Sequence, residues 1–352
     1  VSRSLGLSPG PLGLALFAGA LASMLAMALL GWTADLLGRR AFVAAASVAF
    51  AAGVAGLSLA RGYAAFLAAL VLLYAGSGLY DVGVNAVAVD LERALRRRVM
   101  SLLHAAFSGG GVLGALSAGA LLSAGAGYRL VYLLTLPPLG VAAAALCLAR
   151  LPEAEEGRGK KEGGGAPLYR NGPLLLVAAI ATLGLLSEGE MEHWSGIYLR
   201  QTLGFSALLG GSGVAVFYGA MALGRLAGAP LVLRYGNRRA LLGAGLLSAL
   251  GMLLSLLGTW PPLVVGGFLV VGLALSAVVP VAFSLAGELS PGRAGAGISV
   301  VTTLGYGGFL VGPVIVGGLA ELLGLRAALG VIAAAGLLIF ALALRLGRPA
   351  PP

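Results

Sequence analysis

Charge is what this chain has least of. Only 10% of its 352 residues are Asp, Glu, Lys or Arg, where a soluble domain carries about 25%. That leaves too little polar surface for a water-soluble globule. Cysteine is nearly absent: Cys147 stands alone in an apolar run, which excludes a disulfide framework and a redox pair. The two histidines, His104 and His193, are too few for a metal site of the usual kind, and no metal or cofactor is expected. There is no Gly-x-x-x-x-Gly-Lys-[Ser/Thr] for ATP and no His-Glu-x-x-His for zinc. Gly76-Ser77-Gly78 lacks the third glycine and the strand–turn–helix setting of a dinucleotide loop. No enzyme activity is expected. The first ten residues lack the small-residue cleavage pattern of a signal peptide.

What is present is apolar. Hydrophobic residues make up 59% and the mean hydropathy is +0.99. Apolar runs of about 20 residues recur along the whole length, which reads as an all-α polytopic membrane protein. Eleven spans are predicted. Five are Pro11–Gly31, Ala41–Ala60, Tyr63–Val89, Met100–Ser123 and Tyr128–Leu148. Six more are Pro173–Tyr198, Ser206–Gly228, Ala240–Gly258, Pro262–Ala286, Ala294–Leu319 and Arg326–Leu344. Each is long enough to cross a hydrocarbon core of about 30 Å. The 58 glycines suit close helix packing in a membrane.

Between the two sets lies a stretch of mixed charge, glycine and proline with no apolar period. It reads as a flexible linker, 150–172, between an N-terminal bundle, 1–149, and a C-terminal bundle, 173–352. The net charge of +10 is not gathered on one patch, so no nucleic-acid partner is expected. One set of alternate loops and the C-terminus holds 17 of the 23 Lys and Arg; the other set holds 5, and Arg225 lies within a span. The positive-inside rule then places the linker and the C-terminus in the cytoplasm.

The halves repeat at an offset of 198 residues. It carries Gly38 onto Gly236, Arg40 onto Arg238, Asp90 onto Glu288, Gly110 onto Gly308, Gly114 onto Gly312 and Arg150 onto Arg348. Two parallel halves are one of the transporter architectures. The span Pro173–Tyr198 maps to positions before Val1, so the first half lacks a counterpart. We expect this to reflect truncation or a misplaced start; a natural eleven-helix form is the alternative.

The central span carries the most telling residue. Asp81 lies among apolar neighbours, and a carboxylate at that depth costs roughly 2.5–3.5 kcal/mol on insertion scales. Steps of three and four residues put Tyr74, Ser77, Asp81 and Asn85 on one helix face. Such a polar stripe suits the path of a solute. The counterpart of Asp81 is Val279, beside Pro280, so the acid belongs to one half only.

Gly31-Trp-Thr-Ala-Asp35-Leu-Leu-Gly38-Arg39-Arg40 resembles the loop signature between the second and third helices of the major facilitator superfamily. The related Ala229-Pro-Leu-Val-Leu-Arg234-Tyr-Gly236-Asn-Arg238-Arg239 keeps the glycine and the bases but has Leu233 where the aspartate would be. The resemblance covers the chain as helices two to twelve, with the first helix missing. It implies the major facilitator fold of two pseudo-symmetric helical bundles. Asp81-Val-Gly-Val-Asn85 looks like the fourth helix of fucose-permease-type sugar–proton symporters. Met100-Ser-Leu-Leu-His104 and Ser187-Glu188-Gly-Glu-Met-Glu-His193-Trp194-Ser195 are similar to that branch of bacterial inner-membrane permeases. The resemblance implies a secondary active transporter of a small polar, sugar-like solute. It would work by alternating access, as proton-coupled symport, in the bacterial cytoplasmic membrane. Proton-driven drug or metabolite efflux is the alternative, and a non-transporting sensor or scaffold is a third.

Each polar residue then has two readings. Asp81 is expected to couple protons, because loss of hydration disfavours the charged form of any carboxyl; the alternative is an ion pair with Arg225, His104 or His193. Glu188 is the second coupling candidate. Asn85, with donor and acceptor together, suits a hydroxylated ligand or an interhelical hydrogen bond. Tyr74 and Ser77 share its face. Trp194 is a stacking platform or an interfacial belt residue. His104 is a packing residue or part of the cavity. Thr302, Thr303 and Tyr306 form another polar face. Glu192 and His193 are expected nearer the surface and hydrated. Asp35, Arg39, Arg40 and Asp90 are expected to form a conformational latch, or, for the two arginines, only to set topology. The expected partners are a small-molecule solute, protons and the lipid bilayer, with the chain a monomer.

Overall fold

The computed structural model describes residues 2–31, 33–95, 100–149, 170–290 and 294–346. Among the described residues every regular element is helical, and eleven spans are long and apolar enough to cross a membrane. In hydrocarbon the backbone has no water to bond, so a helix, which satisfies its own amides, is what these apolar runs can form. Most of the expected linker, residues 150–169, lies outside the described residues.

Two compact units divide the chain. One is Val1–Ala106 with Leu121–Lys160; the other is Phe107–Ala120 with Lys161–Pro352. The first part of the chain forms α1 (Ser2–Leu5), α2 (Pro9–Leu30), α3 (Thr33–Leu37), α4 (Arg39–Leu59), α5 (Tyr63–Leu95), α6 (Met100–Ser123) and α7 (Tyr128–Leu148). The middle of α6, Phe107–Ala120, clusters with the second unit.

In the first unit α5 packs on α4 and α2, and α4 packs on α7. The α4–α5 crossing is close because each helix supplies a glycine. A Cβ at Gly53 would collide with the backbone of Leu73, and one at Gly76 with the backbone of Ala49 and Phe50. α5 runs past the predicted end at Val89 to Leu95, so Asp90 is part of the helix.

The second unit forms α8 (Gly172–Ile197), a π-helical turn (Tyr198–Thr202), α9 (Ala207–Ala227), α10 (Ala229–Tyr235), α11 (Asn237–Leu257), α12 (Pro261–Leu275), α13 (Val278–Glu288), α14 (Ala294–Leu323), α15 (Leu325–Ala328) and α16 (Gly330–Leu344). α8 is its central rod, packed on α14, α16, α13 and α9. Leu174, Val177, Ala178 and Ala181 of α8 share a core with Ala282, Ala286 and Val301. Asn171 starts α8: its Oδ1 accepts from Leu174 N at 3.1 Å and its Nδ2 donates to Leu289 O at 3.3 Å.

The predicted span Pro262–Ala286 is in fact two helices, α12 and α13, interrupted at Ser276–Ala277. Pro280 explains the break. It has no N–H to donate to the carbonyl four residues back, at Ser276. The Ser276 hydroxyl donates to Leu273 O at 2.6 Å, which holds the end of α12.

The repeat is visible in backbone geometry. Gly38 has φ 79° and ψ 151° before α4, and Gly236 has φ 80° and ψ 159° before α11. Gly6 and Gly204, at the same 198-residue offset, have φ 63° and 72°. Side-chain ties repeat too. Arg39 Nε donates to Asp90 Oδ2 at 2.9 Å, and Asn237 Nδ2 donates to Glu288 Oε1 at 3.3 Å. Arg40 donates to the carbonyl of Ala149, and Arg238 to that of Leu344.

Candidate functional site

Away from the helix ends, the described spans contain four carboxylates: Asp81 on α5, and Glu188, Glu190 and Glu192 on α8. They belong to two separate constellations, one in each unit.

In the first unit, Asn85 Nδ2 donates to Asp81 Oδ1 at 2.9 Å and to Asp81 O at 2.9 Å. The acid and the amide one turn on therefore form a local pair. Asp81 is exposed and Asn85 half-buried. Tyr74 and Ser77 are half-buried on the same helix, but the Tyr74 ring packs on α2, where Gly19 leaves room for it. The stripe thus divides into the Asp81–Asn85 pair and a packing tyrosine. At the end of α5, Arg39 meets the buried Asp90. The side chains of Asp35 and His104 lie outside what is described.

In the second unit, polar side chains form a ladder between α8 and α9. Arg225 Nη2 donates to Glu188 Oε1 at 3.4 Å and to Oε2 at 3.5 Å. These are loose contacts, since tight charge-assisted bonds run about 2.7–2.9 Å. Further along, the Tyr218 hydroxyl donates to Glu192 Oε2 at 2.7 Å. Aromatic rings border that rung. Phe107 meets Tyr218 edge-on at 6.4 Å, and Phe217 lies 5.5 Å from it. Two carboxylates, one guanidinium and one phenol therefore share a strip carrying both donors and acceptors.

Other candidates fall elsewhere in this unit. Trp194 is fully buried, packed in the interior rather than at a surface belt or an open platform. Thr302 Oγ1 donates to Ile298 O at 2.8 Å, so its hydroxyl is used within α14. Tyr306 is 38% exposed, its ring 6.1 Å from that of Phe309. Among the described residues no cluster of His, Cys, Asp and Glu could hold a metal ion.

The sequence model of the Major Facilitator Superfamily matches residues 1–228 and again residues 194–352. The chain belongs to that superfamily. The transporter is 33% identical over 329 residues to an uncharacterized MFS-type transporter of Yersinia pestis, covering 94% of this chain and 85% of the relative. It is 28% identical over 356 residues to the membrane protein MosC of Rhizobium meliloti, covering 100% of this chain and 86% of the relative. Among solved structures, the nucleoside transporter NupG matches with a TM-score of 0.78 at 14% identity, covering 97% of this chain and 92% of that one. The human organic anion transporter MFSD10 matches with a TM-score of 0.67 at 24% identity, covering 94% and 83%. The structural likenesses establish the fold. The sequence relatives make this a multi-pass transporter with bacterial kin.

Sequence reasoning about the transporter missed three things. Arg225 is the partner of Glu188. Glu192 is exposed but held by Tyr218, rather than simply hydrated. Glu190 is wholly buried. A helical wheel carries a signal for the third alone. At about 100° per residue, Glu188 and Glu192 share a face and Glu190 points to the other side.

Proposed function

We propose that this transporter moves a small polar, sugar-like solute by alternating access, coupled to protons as a symporter. The observation that carries this reading is the ladder of Glu188, Arg225, Glu192 and Tyr218 between two membrane helices. A carboxylate inside a span is expensive and calls for a role, and a strip of alternating donors and acceptors suits a hydroxylated ligand. Asp81 and Glu188 are the proposed coupling residues. Asn85, Ser77, Tyr306 and His104 are the wider set proposed to shape the solute path, with Tyr74, Thr302 and Trp194 proposed to support it through helix packing. Arg39 with Asp90, together with Arg40 and Asp35, is the proposed latch. The excess of basic residues in one set of loops supports a cytoplasmic C-terminus in the bacterial inner membrane. A monomer is proposed as the working unit.

The rings of Phe107, Phe217 and Tyr218 beside the ladder favour a second reading, proton-driven efflux of an aromatic or lipophilic compound. Flux into proteoliposomes separates the two. Sugars, nucleosides and organic anions would be offered with an imposed pH gradient of either sign. Gradient-driven accumulation of a polar solute supports symport. Gradient-driven extrusion of aromatic compounds, without polar uptake, sinks it in favour of efflux.

A further inference from the structure

Glu190 has no part in the ladder. It lies on the opposite side of α8, with 0% of its surface accessible, and neither carboxylate oxygen has a hydrogen-bond partner. Trp194, one turn on, is also fully buried, and its indole nitrogen has no hydrogen-bond partner. The carboxyl presses on α14 at Gly312: a Cβ there would collide with Glu190 Oε1 and lie 3.1 Å from Cδ. Gly312 immediately precedes Pro313, inside the helix. Proline has no N–H to give the carbonyl four residues earlier, which leaves that of Phe309 without its helical donor. The ring of Phe309 packs against Gly189, the neighbour of Glu190.

The surrounding charges are engaged elsewhere. α9 carries Arg225, bonded to Glu188, and Tyr218, bonded to Glu192. α13 carries Glu288, bonded by Asn237 and Ser284. α14 carries Tyr306 and Glu321, and the π-helical turn carries Tyr198 and Arg200. On α8 itself the other titratable groups are Glu188, Glu192 and His193. α12 and α16 carry none. None of these groups hydrogen-bonds Glu190.

We propose that Glu190 is a proton-binding site of its own, occupied in this conformation, whose charge state is tied to the bend of α14 at Gly312–Pro313. An ionised carboxylate is only an acceptor, and here it faces a glycine Cα with no donor hydrogen-bonded to it. The acid form is a donor beside a helix with a carbonyl to spare. Ionisation requires water or a cation to reach Glu190, and that requires α14 to move off α8 at its glycine–proline joint. The proton comes from water and returns to it. This site is separate from the coupling roles proposed for Asp81 and Glu188, and its test does not depend on transport.

The test is infrared difference spectroscopy of the intact protein in lipid, stepped from acid to alkaline pH, with 13C-labelled glutamate in a parallel sample. A protonated-carboxyl C=O band that shifts with the label is expected to survive above about pH 7, where ordinary glutamates have lost theirs. It should persist in Glu188→Gln and vanish in Glu190→Gln. A wild-type protein with no glutamate acid band above about pH 7, where ordinary glutamates are ionised, overturns the proposal without need of a variant, as does a band there unchanged in Glu190→Gln. The conformational half is read by a spin-label pair on α8 and α14. Wild type is expected to widen at alkaline pH, with Glu190→Gln fixed at the short distance. An equal pH response in both refutes the link.

Discussion

Breaking the Glu188–Arg225 pair from its two ends should have unequal costs. The contacts are 3.4 and 3.5 Å, and the side chains are 11% exposed for Glu188 and 27% for Arg225. At an effective dielectric of about 20, two unit charges near 4 Å attract by roughly 4 kcal/mol, and desolvation of both takes back much of that. Arg225→Met leaves the less accessible charge, Glu188, without a partner, at a cost of about 3 kcal/mol. Glu188→Gln leaves Arg225, whose long stem lets its head turn toward a polar surface, at about 1 kcal/mol. The double variant removes both charges and should cost about as much as Glu188→Gln alone, giving a coupling of about 3 kcal/mol. Reversible unfolding in mixed micelles, titrated with a denaturing detergent, measures all four corners of the cycle. Equal single costs that add in the double variant would falsify the reasoning.

Three further outcomes are expected. Asp81→Asn should abolish gradient-driven accumulation in proteoliposomes while leaving counterflow of solute intact; full dependence on the gradient in that variant counts against a coupling role. Arg39→Ala removes an ion-pair partner of Asp90, which is buried, and should cost about 3 kcal/mol. Asn237→Ala, at the equivalent but exposed contact between an amide and the Glu288 carboxylate, should cost about 1 kcal/mol or less, so equal losses in the same unfolding assay would show that burial and the arginine's charge are not what separate them. Gly76→Val should drive a side chain into the backbone of α4 and destabilise the first unit by about 1–3 kcal/mol or more, read as a loss of folded yield that Gly62→Val, in open space, does not share.

Most of the fold was legible because bilayer thickness sets a length that apolar runs must match, and eleven runs match it. The repeat was legible because glycine and arginine at loop ends are fixed by backbone φ and by carbonyl capping, as at Gly38, Gly236, Arg40 and Arg238. The Asp81–Asn85 pair was legible because it is local, one turn along one helix. The Glu188–Arg225 pair was not, because spacing within a helix says nothing of its rotation against a neighbour. Arg225 meets a mid-span acid because α8 brings Glu188 to it. The break between α12 and α13 carried a visible cause in Pro280, but a proline can kink a helix or end it, and packing decides which.

The paired glycines turn the chain into its own control. At Gly6 and Gly204, and at Gly38 and Gly236, φ lies in the left-handed range, where any other L residue is strained. A saturation library of single substitutions should therefore print the same barcode of intolerant positions twice, one copy displaced 198 residues from the other. Where the two barcodes disagree, as they should at Asp81 against Val279 and at Arg39 against Asn237, the mismatch separates residues retained for what the transporter does from those retained because the chain must turn there.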